Sequence, residues 1–297
     1  MITLDNYFNK SRIAPTPSGF LHVGNVLSFS ITAALARKTG AKILLRIDDI
    51  DQARANTEYV QDIFDTLNFL EIPWDEGPRS VKEFEESYSQ VHRLNLYNEA
   101  FETLRNSGAV YACTCSRSQL NNSVCNCKSN TTTGDAVNVS WRLDTGGCLP
   151  LSVKSYNGET VTADLPLEME NFVVKRKDGL PAYQLTSVID DLFYGVDLVV
   201  RGEDLWPSTL AQHQLALALG EDKFADITFY HHPLLTEEPG KKLSKSAGST
   251  SIKYLRGQGK KPADIFMLIG EMLGIKQKVE SFGQLAGLTD QIFYTVR

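Results

Sequence analysis

A strand, turn and helix near the start of the chain limit most strongly what the sequence can fold into. Residues 12–25 read RIAPTPSGFLHVGN, and we predict a strand over SRIAP, a turn over TPSGFLHVG and a helix over NVLSFSITAALARK. Such a turn lies at the carboxyl edge of a parallel sheet, where ligands bind. Gly19 and Gly24 let a backbone approach phosphate near a helix N-terminus, which favours a nucleotide site. The alternative is a Pro/Gly turn with an incidental histidine.

Strand and helix patterns alternate along the rest of the chain. The apolar run AKILLRIDDID, residues 41–51, predicts a buried strand that ends in carboxylates. Helices are predicted over 57–72, 88–108 and 208–220, and further strands over 197–202 and 227–235. This order predicts an α/β fold with a doubly wound parallel (Rossmann-type) sheet.

The predicted organisation has four segments. Residues 1–112 and 161–235 form the two halves of the Rossmann-type catalytic domain, 113–160 a cysteine-bearing insertion, and 236–297 a lysine-rich loop with a short helical tail. The net charge of −6 argues against phosphate binding by the whole surface. No run of residues is apolar enough for a membrane span, and polar residues fill the place of a signal peptide's apolar segment. We expect a cytoplasmic protein with no membrane partner.

Four of the five cysteines form two Cys-x-Cys pairs. The pairs are Cys113 with Cys115 and Cys125 with Cys127. Four thiolates supply a tetrahedral Zn²⁺ site with no open position, so the pattern predicts a structural metal. Free or redox-paired thiols are the alternative. We predict that the isolated Cys148 belongs to the ordinary core.

A second glycine- and lysine-rich stretch, GKKLSKSAGS, covers residues 240–249. Its lysines suit a loop that closes over a triphosphate, although the stretch alone is also typical of a solvated charge run. The wider segment 239–263 contains no acid and these bases: Lys241, Lys242, Lys245, Lys253, Arg256, Lys260 and Lys261. It predicts a strip that faces RNA phosphates, with a solvated helix face as the alternative.

The HVGN of residues 22–25 and the KLSKS of residues 242–246 together resemble the two signature motifs of class I aminoacyl-tRNA synthetases. The resemblance implies that His22, Lys242 and Lys245 stabilise the in-line displacement at the α-phosphate of ATP. Mg²⁺ is then expected with the nucleotide. The implied ATP-binding residues are Gly19, His22, Gly24, Asn25, Lys242 and Lys245.

Longer stretches resemble glutamyl-tRNA synthetases, namely RIAPTPSGFLHVGN, LLRIDDID, PAYQLTSVIDDLFYGVDLVVRGEDL and KLSKS. The implied glutamate-binding residues are Arg12, Ala14, Thr16, Asp48, Tyr183 and Arg201. Arginine forks suit carboxylates, although an ion pair of Arg201 with Glu203 or Asp204 is the alternative. Thr16 stands where serine is common in that family. Asp48 stands where it has the glutamate of RIED, so the contact to the substrate ammonium must become closer or pass through water.

Residues 252–297, together with YACTCSRSQL and VVRGEDL, resemble the truncated branch of that family, the glutamyl-queuosine tRNA(Asp) synthetases. The paired cysteines resemble the family's zinc-bearing insertion, whose second ligand pair varies. The resemblance implies a monomeric ATP-dependent ligase that forms glutamyl-adenylate from L-glutamate and transfers glutamate to queuosine in the anticodon of tRNA(Asp). The alternatives are a minimal glutamyl-tRNA synthetase that charges a tRNA 3′ end, a relative that activates glutamine, and a catalytically idle regulator that binds tRNA or nucleotide.

Overall fold

The computed structural model describes residues 7–116, 119, 125, 127–128, 138–233, 236–238, 241–242 and 251–294, with backbone alone for 236–238, 241–242 and 293–294. The strands are β1 (Lys10–Ile13), β2 (Lys42–Leu45), β3 (Val110–Cys113), β4 (Ser140–Leu143), β5 (Leu151–Ser155), β6 (Thr160–Ala163), β7 (Val173–Lys175), β8 (Leu198–Gly202), β9 (Thr228–His232), β10 (Thr236–Glu238) and β11 (Lys241–Lys242). The α-helices are α1 (Val23–Thr39), α2 (Thr57–Phe69), α3 (Val81–Glu83), α4 (Leu94–Asn106), α5 (Tyr183–Phe193), α6 (Trp206–Leu219), α7 (Ile252–Gly257), α8 (Pro262–Met272), α9 (Phe282–Ala286) and α10 (Thr289–Tyr294).

The chain forms two compact units. The first comprises Met1–His92, Val196–Asp204 and Phe229–Arg297, and the second comprises Arg93–Gly195 and Leu205–Thr228. The four segments predicted from the sequence do not coincide with these two units, and their bounds stay a prediction.

The first unit contains the predicted parallel sheet. Its strands lie in the order β2–β1–β8–β9, and β1 runs parallel to both β2 and β8. The registers pair Arg12 with Leu44 and Ser11 with Leu198. Helix α1 packs on β1 and β8 and buries Leu27, Ile31 and other apolar side chains against them. Strand, turn and helix therefore follow one another as predicted, with the turn at the carboxyl end of β1.

Helix α1 begins at Val23, two residues before the predicted start, and ends at Thr39, with Gly40 as its C-cap. His22 adopts an extended backbone and caps the first turn. Gly40 has a φ of 75°, a left-handed conformation that glycine adopts without a steric penalty. Both ends of the helix are thus encoded locally.

The helix predicted over 88–108 is wrong at its start. Helix α4 begins at Leu94, and a π-helical turn at Phe84–Tyr88 and a 3₁₀ turn at Gln90–Arg93 precede it. The reason lies in Asp49, which accepts hydrogen bonds from the Ser89 hydroxyl and from the backbone N–H of Gln90. Ser89 has a ψ of 141°, so the backbone leaves the helical conformation at that contact.

The second unit combines antiparallel strands with helices. Strands β3, β4 and β7 form a three-stranded antiparallel sheet, and β5 and β6 pair as an antiparallel hairpin. Helices α4, α5 and α6 pack on one another. Arg93 and Asp190 form a bidentate ion pair at 2.8 and 3.1 Å, and the Tyr97 hydroxyl donates to the same carboxylate. This network satisfies the buried charges of Arg93, which precedes α4, and of Asp190 in α5.

The tail contains short helices, as predicted, and the stretch PADIFMLIGEM forms α8. Its buried side chains are Ile265, Phe266 and Ile269. Across the described ranges, no helix combines the length and the apolar character that crossing a membrane requires.

Candidate functional site

His22 caps helix α1 with its imidazole. The His22 Nδ1 accepts a hydrogen bond from the backbone N–H of Asn25 at 3.3 Å. In return, the Asn25 Oδ1 accepts one from the backbone N–H of His22 at 3.0 Å. The two side chains form a capping box that satisfies donors of the first helical turn. HVGN therefore fixes a histidine at a helix N-terminus, where anions bind favourably.

This cap determines which imidazole nitrogen donates. Because Nδ1 accepts a hydrogen bond, the proton of the neutral ring is on Nε2. His22 keeps an exposed surface, and partial burial lowers its pKa below the ordinary value of 6.5. At pH 7 the ring is therefore neutral and presents one N–H donor, which suits a phosphate oxygen.

The predicted ATP-binding glycines lie in the turn and in the helix that follows it. No described atom outside its chain neighbours lies within 4 Å of the point where a Cβ on Gly19 would stand. The described part of the chain gives no steric reason for glycine there, so the close approach of a nucleotide stays a prediction. Gly24 is the second residue of α1. Thr16 is exposed and Ala14 is half-buried.

Three predicted glutamate-binding residues follow or end neighbouring strands of the first unit. Arg12 lies in β1, Arg201 in β8, and Asp48 three residues after β2. Because β1 is parallel to both neighbours, the carboxyl ends of these strands meet at one edge of the sheet. Opposite charges thereby come to the edge that carries the HVGN turn.

Asp48 forms a buried ion pair that the sequence motifs do not indicate. Arg46 Nε donates to one carboxylate oxygen at 2.7 Å and Nη2 to the other at 3.0 Å. Asp48 is 9% exposed, and its backbone N–H donates to the Pro15 carbonyl at 2.9 Å. The pair fixes the orientation of the Asp48 carboxylate after β2.

Both arginines at the sheet edge are buried. The Arg12 Nη1 donates to the Val200 carbonyl at 3.3 Å. The Arg201 guanidinium lies over the Phe229 ring at 5.1 Å from its centroid. These contacts hold planar forks that suit carboxylates.

Tyr183 lies in the second unit as the first residue of α5 and is 43% exposed. One helical turn later, the buried Ser187 hydroxyl has no hydrogen-bond partner among the described residues. Ser187 follows Tyr183 by four residues, so both lie on one face of α5.

The lysine-rich segment is described only in part. Lys242 lies in β11, whose backbone alone is described, and Lys245 lies outside the described residues. Farther along, Lys253 pairs with Glu58 and Arg256 with Asp62 at 3.0 Å. The strip that the sequence predicts as purely basic therefore has two of its cations neutralised by α2.

Asp62 is a buried acid that no motif indicates. Its Oδ2 accepts the backbone N–H of Leu21 at 3.1 Å, and its Oδ1 accepts from Arg256 Nη2. The carboxylate thus contacts the residue immediately before His22. An aspartate two residues after Val60 and one before Ile63, within a buried helical stripe, is the only sequence signal for it.

The four paired cysteines come together as predicted. Their sulfur atoms all lie within 4.8 Å of one another. Sγ–Sγ distances are 3.6 Å for Cys113–Cys125, 3.8 Å for Cys115–Cys125 and 3.6 Å for Cys115–Cys127. A tetrahedron with metal–sulfur bonds of about 2.3 Å has edges of about 3.8 Å. The cluster has the donor set and spacing to hold a metal ion.

The thiols of this cluster differ in pKa. A hydrogen bond from the Thr114 backbone lowers the pKa of Cys127 to about 6 because it stabilises the thiolate. Hydrogen bonding to Cys127 and burial raise the pKa of Cys115 to about 12. Close thiols cannot all ionise without a cation, which is the behaviour of a ligand set.

Cys148 is half-buried beside a turn, so its assignment to the core is wrong.

Comparisons with known proteins agree with this architecture. Residues 10–137 and 158–296 match the model of the family described as tRNA synthetases class I (E and Q), catalytic domain. A glutamyl-Q tRNA(Asp) synthetase of Nitratidesulfovibrio vulgaris is 32% identical over 294 residues, with 90% of this chain and 86% of that protein covered. A glutamate–tRNA ligase of Nitrosomonas europaea is 34% identical, but the chain spans only 55% of its length.

A solved structure shows the same fold. The glutamate–tRNA synthetase of Elizabethkingia anophelis superimposes with a TM-score of 0.73 at 20% identity, covering 94% of this chain and 65% of that one. The parallel sheet with its turn and following helix is thus the catalytic fold of class I aminoacyl-tRNA synthetases. Within that class, the chain belongs to the family of the glutamyl and glutaminyl (E and Q) enzymes.

Proposed function

We propose that the protein activates L-glutamate with ATP and transfers the glutamyl group to queuosine in the anticodon of tRNA(Asp). The observation that carries the proposal is the capped His22, whose Nε2–H lies on the turn at the sheet edge that also bears Arg12 and Arg201. The name of the Nitratidesulfovibrio vulgaris relative supports queuosine as the acceptor.

Activation requires positioning and charge stabilisation but no protein nucleophile. The glutamate carboxylate attacks the α-phosphate of ATP, the bond to the β-phosphate breaks, and pyrophosphate leaves with the electron pair. Negative charge grows on the phosphate oxygens, and a preorganised N–H donor stabilises it. His22 provides that donor without changing its protonation state. We assign the charge of the leaving pyrophosphate to Lys242 and Lys245.

Glutamate recognition needs two cationic partners and one anionic partner. We assign the substrate carboxylates to Arg12 and Arg201 and the ammonium to Asp48, which Arg46 holds by both oxygens. Arg46 orients the aspartate that replaces the family's longer glutamate. Tyr183 is assigned a further contact to the substrate on the strength of its motif alone.

Two metals accompany this proposal. Among the described residues, the cysteine cluster is the only group of three or more His, Cys, Asp or Glu side chains that is close enough to share a metal. Its four thiolates fit Zn²⁺, which would hold the cluster together without an open coordination position. Mg²⁺ would bind mainly to the phosphates of ATP, as it commonly does at nucleotide sites.

Acceptor identity is tested by charging defined RNAs with radiolabelled glutamate. We expect tRNA(Asp) with queuosine to be charged even when its 3′-terminal adenosine is removed, and a queuosine-bearing anticodon stem-loop to be charged as well. The same tRNA without queuosine should accept no glutamate. Equal charging with and without the modification would contradict the proposal.

We also propose that the protein is a monomer. Sedimentation at micromolar concentration tests this proposal.

A second candidate is a minimal glutamyl-tRNA synthetase that charges a tRNA 3′ end. The similarity to the Nitrosomonas europaea ligase, at an identity close to that of the first relative, favours keeping it. The RNA without its terminal adenosine decides between the two, because this candidate requires that nucleoside. Glutamate-dependent ATP/pyrophosphate exchange separates both candidates from a glutamine-activating relative and from an idle regulator.

A further inference from the structure

Asp62 is the buried acid of helix α2, and its two oxygens serve different partners. Oδ2 accepts the backbone N–H of Leu21 at 3.1 Å, and Oδ1 accepts from Nη2 of Arg256 at 3.0 Å. Leu21 immediately precedes His22, and Arg256 lies in α7, the first described helix after the KLSKS segment. One carboxylate therefore contacts both the residue before HVGN and helix α7.

The backbone joins the same two segments a second time. The Leu21 carbonyl accepts the N–H of Ile252 at 2.8 Å, and His22 and Ser251 form an antiparallel bridge. Both polar backbone groups of Leu21 are thus used, one by the beginning of α7 and the other by Asp62. The position of His22 depends on this arrangement because the chain has little freedom between Leu21 and the capped helix.

Burial makes the Asp62–Arg256 pair difficult to break. Asp62 is 2% exposed, and burial raises the pKa of its carboxyl group, whereas the Leu21 N–H and Arg256 oppose that change. Loss of Arg256 would leave the buried Asp62 carboxylate without the cation that pairs with it, which is destabilising. Arg256 also lies 3.9 Å from Asp65. The pair between Lys253 and Glu58 joins the same two helices at the surface and lacks any bond to Leu21.

We propose that Asp62 is a positioning residue for glutamate activation, which holds the HVGN turn and helix α7 in one fixed arrangement through Leu21 and Arg256. The inference rests on the proposed function for its kinetic consequence. It assigns no contact between Asp62 and a substrate, so its effect is on kcat through the placement of His22.

Kinetics of ATP/pyrophosphate exchange provide the first test. We expect Asp62→Ala and Arg256→Ala each to lower kcat about tenfold or more, because small displacements of a catalytic group are costly, while KM for glutamate stays within about twofold. Asp62→Asn keeps an acceptor for Leu21 and should lose less than Asp62→Ala. The matched control, Glu58→Gln, removes the surface pair between the same helices and should retain wild-type kcat.

Hydrogen exchange of the Leu21 amide provides a test that needs no activity. If Asp62 acts as proposed, Arg256→Ala accelerates exchange at Leu21 by about tenfold or more, and Glu58→Gln does not. Hydrogen exchange at Leu21 that stays at the wild-type rate in Arg256→Ala would overturn the inference. So would a wild-type kcat in folded Arg256→Ala and Asp62→Asn proteins whose melting temperatures are lowered. Should Asp62→Ala not fold, those two variants decide. An inactive wild-type protein would instead refute the proposed function and leave the Leu21 measurement valid.

Discussion

The HVGN turn and the cysteine cluster achieve order in opposite ways. In the turn, His22 and Asn25 satisfy each other's backbone donors, and the Leu21 N–H and carbonyl both have partners within the chain. In the cluster, four sulfur atoms crowd together, and mainly the Thr114 backbone stabilises one thiolate. The comparison teaches that the chain alone preorganises the first site, whereas the second needs a cation to be stable.

The largest effect is expected at the turn itself. His22→Ala removes both the Nε2–H donor and the helix cap, whereas His22→Asn keeps a capping side chain and removes only the donor. Both variants should lower the ATP/pyrophosphate exchange rate by roughly 10² or more. Lys245→Ala should do the same by removing charge from the leaving group.

Melting temperatures separate the two functions of His22. His22→Asn should melt near the wild-type temperature, while His22→Ala loses about 1 kcal/mol of cap energy. A His22→Asn protein that exchanges at the wild-type rate would show that the imidazole is only a cap.

Metal removal tests the other side of the comparison. We expect about one Zn²⁺ per chain by elemental analysis, and Cys125→Ser should abolish it. The loss should lower the melting temperature by several degrees and slow activation much less than the His22 variants do, because a closed thiolate site contributes to folding. Cys148→Ser, a change at the cysteine outside the cluster, should keep the metal. A metal-free wild-type protein prepared under reducing conditions would contradict the prediction.

A smaller effect is expected at the sheet edge. Asp48→Asn removes the charge assigned to the substrate ammonium and should raise KM for glutamate about tenfold, since a hydrogen bond to a charged group contributes about 1.5–3 kcal/mol. Asp51→Asn, in the same acidic run but paired with Arg54, is the matched control and should leave KM unchanged. An unchanged KM in Asp48→Asn would remove this residue from the site.

The smallest effect is a shift in titration. Because burial lowers the pKa of His22, its ring should titrate below 6.5 by NMR, with the His22→Asn spectrum identifying the resonance. The unfolded chain binds the proton more readily, so this group favours folding fully above pH 6.5 and loses that contribution as the pH falls toward its folded pKa. Protonation also breaks the cap, since Nδ1–H and the Asn25 N–H are both donors. A pKa above 6.5 would contradict the hydrogen bond at Nδ1.

Local patterns explain what the sequence could predict. The two Cys-x-Cys pairs needed only their spacing, and the strand, turn and helix around His22 follow from residues within a few positions of one another. The Asp48–Arg46 pair and the Asp62–Leu21–Arg256 contacts could not be predicted, because burial and tertiary packing select those partners. The break before α4 belongs to the same class, since Asp49 is distant in sequence from Ser89.

If the basic segment 239–263 binds RNA, as the sequence predicts, the ion pairs of α7 determine how ionic strength affects that binding. Each lysine or arginine that contacts a phosphate releases condensed counterions and steepens the fall of affinity with salt by about one logarithmic unit per contact. Lys253 and Arg256 are already neutralised by Glu58 and Asp62, so they release few counterions. A plot of log affinity against log salt concentration should therefore have a slope about two units shallower than seven phosphate-binding bases would give. Specific contacts then contribute a larger share of the binding energy.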